Sequence, residues 1–151
     1  MQTATFDTIA SLAGQEIGVS DWLEITQDRI NQFADATGDH QWIHVNVEMA
    51  KQMMPGGKTI AHGYLTLSLI PGLTGGLMRI DGMTRGINYG SNKVRFTNMV
   101  PVGSKVRARQ KLLSAEPRKD GGMQLTNEVT IEIEGQTRAA CIAETISLIY
   151  K

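Results

Sequence analysis

The chain of 151 residues has almost none of the cysteine that holds small extracellular proteins together. Its one cysteine, Cys141, excludes an internal disulfide and leaves no cysteine cluster for zinc, which favours a reducing compartment. The length is nevertheless sufficient to bury a hydrophobic core without disulfides or metal ions. We therefore expect residues 1–151 to form a single domain.

An excess of charge and a long apolar run are also missing. Fifteen basic residues balance fifteen acidic ones, which gives no indication of a nucleic-acid or acidic-membrane partner. The most apolar window, residues 60–80, is interrupted by polar residues, Pro71 and glycines, so it predicts a buried helix rather than a membrane span. The N-terminal residues lack the basic segment and the continuous apolar stretch of a secretory signal. Together with the single cysteine, these absences predict a cytoplasmic location.

Helical signals dominate the first half of the chain. Thr26 is a suitable N-cap, apolar residues follow it at helical spacing, and Gly38 stands where a left-handed residue usually ends a helix. Asn46 caps a second, shorter helix that Pro55 stops. A long apolar helix is predicted to begin near Ala61, with apolar residues on more than one side, as expected for a helix wrapped by a sheet.

The period of the apolar residues changes after about residue 82. Alternation of apolar and polar residues predicts strands over 93–96, 105–112 and 125–133, and an apolar face that continues over 140–150 on Ala140 and Ile142. Helices followed by antiparallel strands with one wet face indicate an α+β fold, in which the long helix lies on a concave sheet.

The segment GDHQWIH, Gly38–His44, combines groups that can handle water. It places the carboxylate of Asp39 five residues before the imidazole of His44, and in apolar surroundings such a pair can hold and activate a water molecule. Taken singly, Asp39 is a turn or cap residue and His44 a core histidine with one satisfied nitrogen. Taken together they favour function, because a carboxylate kept away from solvent at a helix end needs a partner. We interpret the pair as a site that adds or removes water next to an acyl group.

The segment IAHGYLTLSL, Ile60–Leu69, supplies the second part of this site. Gly63 at the start of the apolar helix offers an unobstructed backbone N–H to a developing oxyanion. His62 is expected to pack at the helix start or to donate to a backbone carbonyl, and we assign it with Trp42 to substrate binding. The three histidines and one usable carboxylate do not form a familiar ligand spacing, so no metal site is predicted.

Basic residues fall into two sets. The first set alternates along one predicted strand and faces glutamates of the next, so cross-strand ion pairs explain it; it comprises Lys105, Arg107, Arg109 and Lys111. The second set has no such acidic neighbours in the sequence and supplies the better candidates for contacting phosphates of a nucleotide-tailed substrate; it comprises Arg79, Arg85, Lys93 and Arg95. Cys141, without an acid–base pair nearby in the sequence, is predicted to be a buried structural thiol.

Three segments resemble the MaoC-like dehydratases. FADATGDHQWIHVNVEMA resembles the hydratase 2 signature, IAHGYLTLSLIPGL the segment that follows it, and INYGSNKVRFTNMVPVGSKV the later strands. The likeness extends from about Trp22 to Ile149 and is greatest to the NodN-like branch. In one departure, Pro71 stands where typical single-domain members have a serine, with Ser68 nearby, and this bears on the acyl-chain length accepted.

The resemblance implies a hot-dog fold, in which a curved antiparallel sheet wraps a long central helix, and a homodimer whose sheets pair edge to edge. It also implies (R)-specific hydration of trans-2-enoyl-CoA, or dehydration of an (R)-3-hydroxyacyl thioester on CoA or a carrier protein, with no cofactor. Carried over by position, Asp39 and His44 are the catalytic pair and Gly63 binds the thioester carbonyl. The carboxylate would take a proton from water as oxygen attacks C3, and the imidazole side would supply the proton for C2.

Two other functions agree with the same residues. In a thioesterase, a similar cavity would direct water at the carbonyl carbon and release free thiol. A non-catalytic acyl-thioester-binding protein would keep the fold and bind without turnover.

Overall fold

The computed structural model describes residues 1–151, which form five helices and eight strands. The helices are α1 (Gln27–Thr37), α2 (Trp42–Val45), α3 (Val47–Met53), α4 (Gly63–Ser68) and α5 (Ile70–Thr74). The strands are β1 (Gln2–Thr5), β2 (Glu16–Val19), β3 (Leu23–Glu24), β4 (Met78–Asp81), β5 (Arg85–Arg95), β6 (Lys105–Pro117), β7 (Met123–Ile133) and β8 (Cys141–Tyr150). None of the helices combines the length and apolar character that crossing a membrane requires.

The main sheet is antiparallel and has the strand order β2-β6-β7-β8-β5, with β3 also paired to β6. A separate parallel pair joins β1 to β4. These two strands and β2 were not predicted, because four residues are too few to show an alternating pattern. Strand β5 pairs on one side only, with β8, and so forms an edge of the main sheet. The antiparallel sheet, together with separate helices, confirms the α+β prediction, although the short strands β1 to β3 precede the helices.

The predicted helix ends in the first half of the chain are confirmed. Thr26 Oγ1 accepts the backbone N–H of Arg29 at 3.1 Å, and Gly38 ends α1 at a φ of 83°. Asn46 Oδ1 accepts the N–H of Met49 at 3.0 Å and so caps α3. Gly38 and Asn46 therefore mark the two ends of the segment that carries Asp39 and His44.

The central helix is shorter than predicted. The segment forms α4 and α5, of six and five residues, which meet at Leu69 next to Pro71. Proline lacks the N–H that would continue the helical ladder, and the prediction of a single long helix is wrong. Leu65 and Ile70 from these helices belong to a buried cluster that contains the sheet residues Val106, Ala108, Val129 and Ile131.

The long strands β6 and β7 bury the residues that their alternation predicted, whereas β5 and β8 depart from the prediction. The strand predicted over 93–96 lies at the end of β5, which has no buried residue in the single chain, and Phe96 just beyond it is 44% exposed. In β6 and β7 the inward residues include Ala108 and Ile131, which lie opposite each other. In β8 the structure buries Cys141 and Ala143 and exposes Ile142, so the prediction that Ile142 faces the core was wrong. Three consecutive apolar residues, Ala140 to Ile142, had left the register of this strand ambiguous. Burial raises the pKa of the Cys141 thiol to about 11, as expected for a structural cysteine.

The ion pairs predicted across β6 and β7 form around one glutamate. Glu132 accepts from Arg107 Nε at 2.7 Å and from Arg109 Nε at 2.8 Å, and Arg109 also pairs with Glu16. The arginines are therefore structural, as predicted. Lys105 and Lys111 form no ion pair.

Candidate active site

Asp39 lies in the four-residue connection between α1 and α2. The left-handed turn at Gly38 reverses the chain, and one Asp39 carboxylate oxygen accepts the N–H of Gln41 at 3.3 Å. The side chain is exposed in the single chain, so the prediction that it lies away from solvent was wrong. Asp39 is thus both a turn residue and a carboxylate that solvent or substrate can reach.

His44 lies in α2 and is only 6% exposed. Its Nδ1 lies 2.7 Å from the carbonyl oxygen of Ile60, and since a carbonyl only accepts, Nδ1 carries the proton. In the neutral ring Nε2 therefore has a free lone pair. Burial lowers the pKa of His44 and the neighbouring His62 lowers it further, whereas the hydrogen bond to Ile60 opposes them. The ring is thus held as a neutral base.

His62 connects the other parts of the site. It is 2% exposed, its Nε2–H donates to the carbonyl of Asp39 at 2.9 Å, and its ring stacks on that of His44. The predicted donation to a backbone carbonyl is therefore confirmed. The predicted contact with substrate is not supported by its position, because His62 does not line the neighbouring cavity, and neither does the half-buried Trp42.

Gly63 is the first residue of α4, where the N–H has no acceptor within a helix. A Cβ at this position would lie 2.7 to 2.9 Å from three ring atoms of Phe96. That separation is shorter than van der Waals contact, so the close approach of the Phe96 ring requires glycine here. Because glycine has no side chain, nothing on Gly63 itself obstructs a ligand that approaches its N–H.

An open cavity of about 380 Å³ lies beside these residues. Half of its lining residues are hydrophobic, and the lining includes both His44 and Gly63. The full lining is His44, Ile60, Ala61, Gly63, Thr66, Phe96, Thr97, Asn98, Met99, Val100, Arg138 and Ala140. An apolar cavity with a few polar groups at one side is typical of a small-molecule site.

Four polar residues of this lining were missed in the sequence, namely Thr66, Thr97, Asn98 and Arg138. Thr66 looked like an interruption of an apolar helix, and no local pattern shows which face of a helix meets a cavity. Arg138 lies in the connection between β7 and β8, where alternation is absent. Pro71 and Ser68, the residues of the departure from the family pattern, are exposed and do not line the cavity.

The four cations predicted to contact phosphates lie elsewhere in the single chain. None of them lines the cavity. Arg79 pairs with Asp81 at 2.8 Å, which corrects the prediction that it has no acidic neighbour, and Lys93 lies opposite Glu144 in the sheet. The guanidinium of Arg85 stacks 4.5 Å from the ring centroid of Tyr150. Arg95 Nη1 donates to the carbonyl of Val94 at 2.7 Å.

One group of side chains is close enough to be tested as a metal site. A carboxylate oxygen of Asp39 and one ring nitrogen from each of His44 and His62 lie within 4.8 Å of one another. The two rings, however, are stacked with planes inclined by only 24°, so their lone pairs run side by side rather than converge on one point. Metal ligands in proteins converge on the ion. The arrangement suits a bound water better.

The same distance favours a water bridge between Asp39 and His44. Two hydrogen bonds of about 2.8 Å that meet at one water oxygen span up to about 5.6 Å, so a separation within 4.8 Å is well matched. A water in this place would donate one hydrogen to the carboxylate and the other to the free Nε2. Its oxygen would then be directed at a ligand in the cavity.

Comparison with known proteins gives consistent matches over nearly the whole chain. The family model described as MaoC like domain matches residues 8–133. The sequence is 50% identical over 145 residues to the 3-hydroxyacyl-thioester dehydratase Z of Mycobacterium tuberculosis, covering 94% of this chain and 95% of the relative. It is 43% identical over 150 residues to Nodulation protein N of Rhizobium leguminosarum bv. viciae, covering 99% and 93%.

A solved structure resembles the fold over its full length. The monoamine oxidase regulatory protein from Archaeoglobus fulgidus superposes with a TM-score of 0.80 at 25% sequence identity, covering 100% of this chain and 99% of that one. Together with the antiparallel sheet packed on a central helix, this match identifies the fold as a hot-dog fold.

Proposed function

The chain belongs to the family of MaoC-like domains, and on that premise we propose that it adds water (R)-specifically to a trans-2-enoyl-CoA or removes it from an (R)-3-hydroxyacyl thioester. Its general activity is that of a hydro-lyase, a hydratase or dehydratase of the MaoC type. Residues 1–151 form one domain of this type in our proposal. Asp39, His44 and Gly63 carry the reaction.

The observation that carries the proposal is the position of Asp39 and His44. A carboxylate oxygen of Asp39 and a ring nitrogen of His44 are close enough for one water to bridge them. His44 also lines the same cavity as Gly63. An acyl thioester in this cavity can therefore meet an activated water on one side and a backbone N–H on another. These are the two requirements of adding water across the double bond of an enoyl thioester.

The hydrogen bond of His44 to Ile60 supports the following order of proton transfers. Because Nε2 is free, it accepts a proton from water while the hydroxyl forms a bond to C3. The Asp39 carboxylate accepts a hydrogen bond from the O–H that stays on the attacking oxygen, and it stabilises the imidazolium that forms. The imidazolium then returns its proton to C2 on the same face of the alkene, and the ring is neutral again. This assignment differs from the expectation from the sequence only in the first step, where the carboxylate took the proton from water; the imidazole supplies the proton for C2 in both.

Gly63 stabilises the charge that develops on the thioester oxygen. As the hydroxyl adds to C3, electron density moves onto the carbonyl oxygen, which becomes enolate-like. A backbone N–H directed at that oxygen stabilises it more than the uncharged carbonyl. Since α4 has only six residues, the N–H itself and not a long helix dipole supplies the stabilisation.

We also propose that the protein is a homodimer joined through β5. This strand has eleven residues, its outer edge is unpaired, and Ile87 and Tyr89 are 48% and 59% exposed. A long, exposed and apolar sheet edge is a template for pairing with another strand. Antiparallel pairing of β5 with its copy would extend the sheet across both subunits.

The test of the reaction follows the absorbance of the enoyl thioester with crotonyl-CoA and a longer trans-2-enoyl-CoA. We expect rapid loss with the wild type, an (R)-3-hydroxy product and no free thiol. Asp39→Asn and His44→Ala should each lower the rate by about 10²- to 10⁴-fold. Release of free thiol would favour a thioesterase instead, and thioester binding without turnover would favour a non-catalytic binding protein.

A further inference from the structure

Besides the exposed Tyr64, the helices α4 and α5 carry three serine or threonine hydroxyls, and one of these has no partner within the chain. Ser68 Oγ donates to the carbonyl of Tyr64 at 2.6 Å, and Thr74 Oγ1 donates to that of Ile70 at 2.8 Å. Such bonds to the preceding turn are the usual arrangement for a hydroxyl within a helix. The hydroxyl of Thr66 makes no hydrogen bond to any other group of the chain.

Burial makes this free hydroxyl informative. Thr66 is only 3% exposed, yet it lines the cavity together with His44 and Gly63. A hydroxyl that lines a cavity and bonds to no group of the chain takes its partner from the cavity, either a water molecule or a ligand. The neighbouring turn offers a carbonyl that Thr66 does not use, so its hydroxyl is available to a molecule in the cavity.

The helix directs this hydroxyl towards Gly63. Side chains in an α-helix tilt towards its N-terminus, and positions three apart lie on the same face. Thr66 is three residues after Gly63, so its side chain lies over the first turn, beside the free N–H. A carbonyl oxygen has two lone pairs and can accept from both groups.

We propose that the Thr66 hydroxyl donates a hydrogen bond to the thioester carbonyl oxygen, as a second donor beside the N–H of Gly63. This inference rests on the proposed hydratase function and names one more residue that contacts the substrate. The bond strengthens as the oxygen becomes enolate-like, so it lowers the barrier more than it tightens substrate binding.

The matched variants are Thr66→Val, which keeps the shape and removes the hydroxyl, and Thr66→Ser, which keeps the hydroxyl. Thr74→Val is the control, because it removes a helical hydroxyl that bonds within the chain. With crotonyl-CoA we expect Thr66→Val to lower kcat by about 100-fold with little change in KM, as for loss of one oxyanion donor. Thr66→Ser should retain most of the activity, and Thr74→Val should match the wild type.

A second measurement tests the contact without turnover. In Asp39→Asn, which is expected to bind crotonyl-CoA without reacting, the infrared carbonyl stretch of the bound thioester reports hydrogen bonds to its oxygen. Adding Thr66→Val should move this stretch to higher frequency, whereas adding Thr74→Val should not.

The outcomes separate this inference from the function on which it rests. An active wild type with an equally active Thr66→Val, or a carbonyl stretch that Thr66→Val leaves unchanged, would overturn the role of Thr66 alone. A wild type that hydrates no enoyl thioester would overturn both proposals.

Discussion

The ring of His62 lies against the ring of His44, with centroids 3.8 Å apart and planes inclined by 24°. The His62 ring also donates a hydrogen bond to the carbonyl of Asp39, and His62 is the residue directly before Gly63 in the chain. One buried imidazole therefore contacts both members of the proposed catalytic pair and adjoins the proposed oxyanion donor. A substitution at His62 should affect the site without removing a group that touches substrate.

The first prediction concerns pH. The proposed base requires neutral His44, so kcat/KM should fall as the pH drops through the pKa of His44, which lies below the usual 6.5. His62 contributes to that lowering. His62→Gln keeps an N–H donor for Asp39 but removes the imidazole, so the acid limb should move to higher pH. His62→Phe keeps an aromatic ring but loses the donor, and its kcat should fall at every pH. Identical pH profiles for His62→Gln and the wild type would contradict this coupling.

The second prediction concerns the contact between Gly63 and Phe96. A methyl group at Gly63 would overlap the Phe96 ring, so Gly63→Ala should lower the free energy of unfolding by about 1 to 3 kcal/mol. It should also lower kcat, because both residues line the cavity. Urea denaturation of Gly63→Ala, Phe96→Ala and the double variant forms a cycle. The double variant should lose less free energy of unfolding than the two single variants lose together. Strictly additive losses would show that a methyl group at Gly63 does not collide with Phe96.

The third prediction concerns Arg138, the cation that lines the cavity. It forms no ion pair within the chain, and a free guanidinium there is suited to a phosphate of the thioester's carrier arm. Arg138→Gln should raise KM for crotonyl-CoA by about tenfold, corresponding to loss of one charge-assisted bond. KM for crotonyl-pantetheine, which has no phosphate, should not change. Arg95→Gln is the matched control, and a larger effect there than at Arg138 would favour the assignment made from the sequence.

The fourth prediction concerns the edge of the sheet. Ile87→Lys places a charge on β5, and burying it unpaired in a strand-to-strand interface is unfavourable, so dimerisation should weaken by at least about tenfold. Met53→Lys, at an apolar position on α3 that is more exposed than Ile87, is the control. Light scattering over a range of concentrations measures the mass of each variant. A monomeric wild type, or a dimer that Ile87→Lys leaves intact, would exclude pairing through β5.

The sequence by itself determined the local structure around Asp39 and His44. Helices begin at Thr26 and Asn46 and end at Gly38 through bonds and backbone angles that depend on adjacent residues. Such signals can be recognised in a sequence. Alternation along β6 and β7 likewise identified the buried face, because the period of a strand is fixed by its geometry.

Only the tertiary structure decided the contacts that connect distant segments. The carbonyl of Ile60, sixteen residues away, determines that the proton of His44 is on Nδ1. The carbonyl of Asp39, twenty-three residues away, accepts the hydrogen bond that orients the ring of His62. The exposure of Asp39 and the place of Arg138 at the cavity depend on how the helices and the connections of the sheet pack. A residue's neighbours across such distances follow from packing, and no local pattern records them.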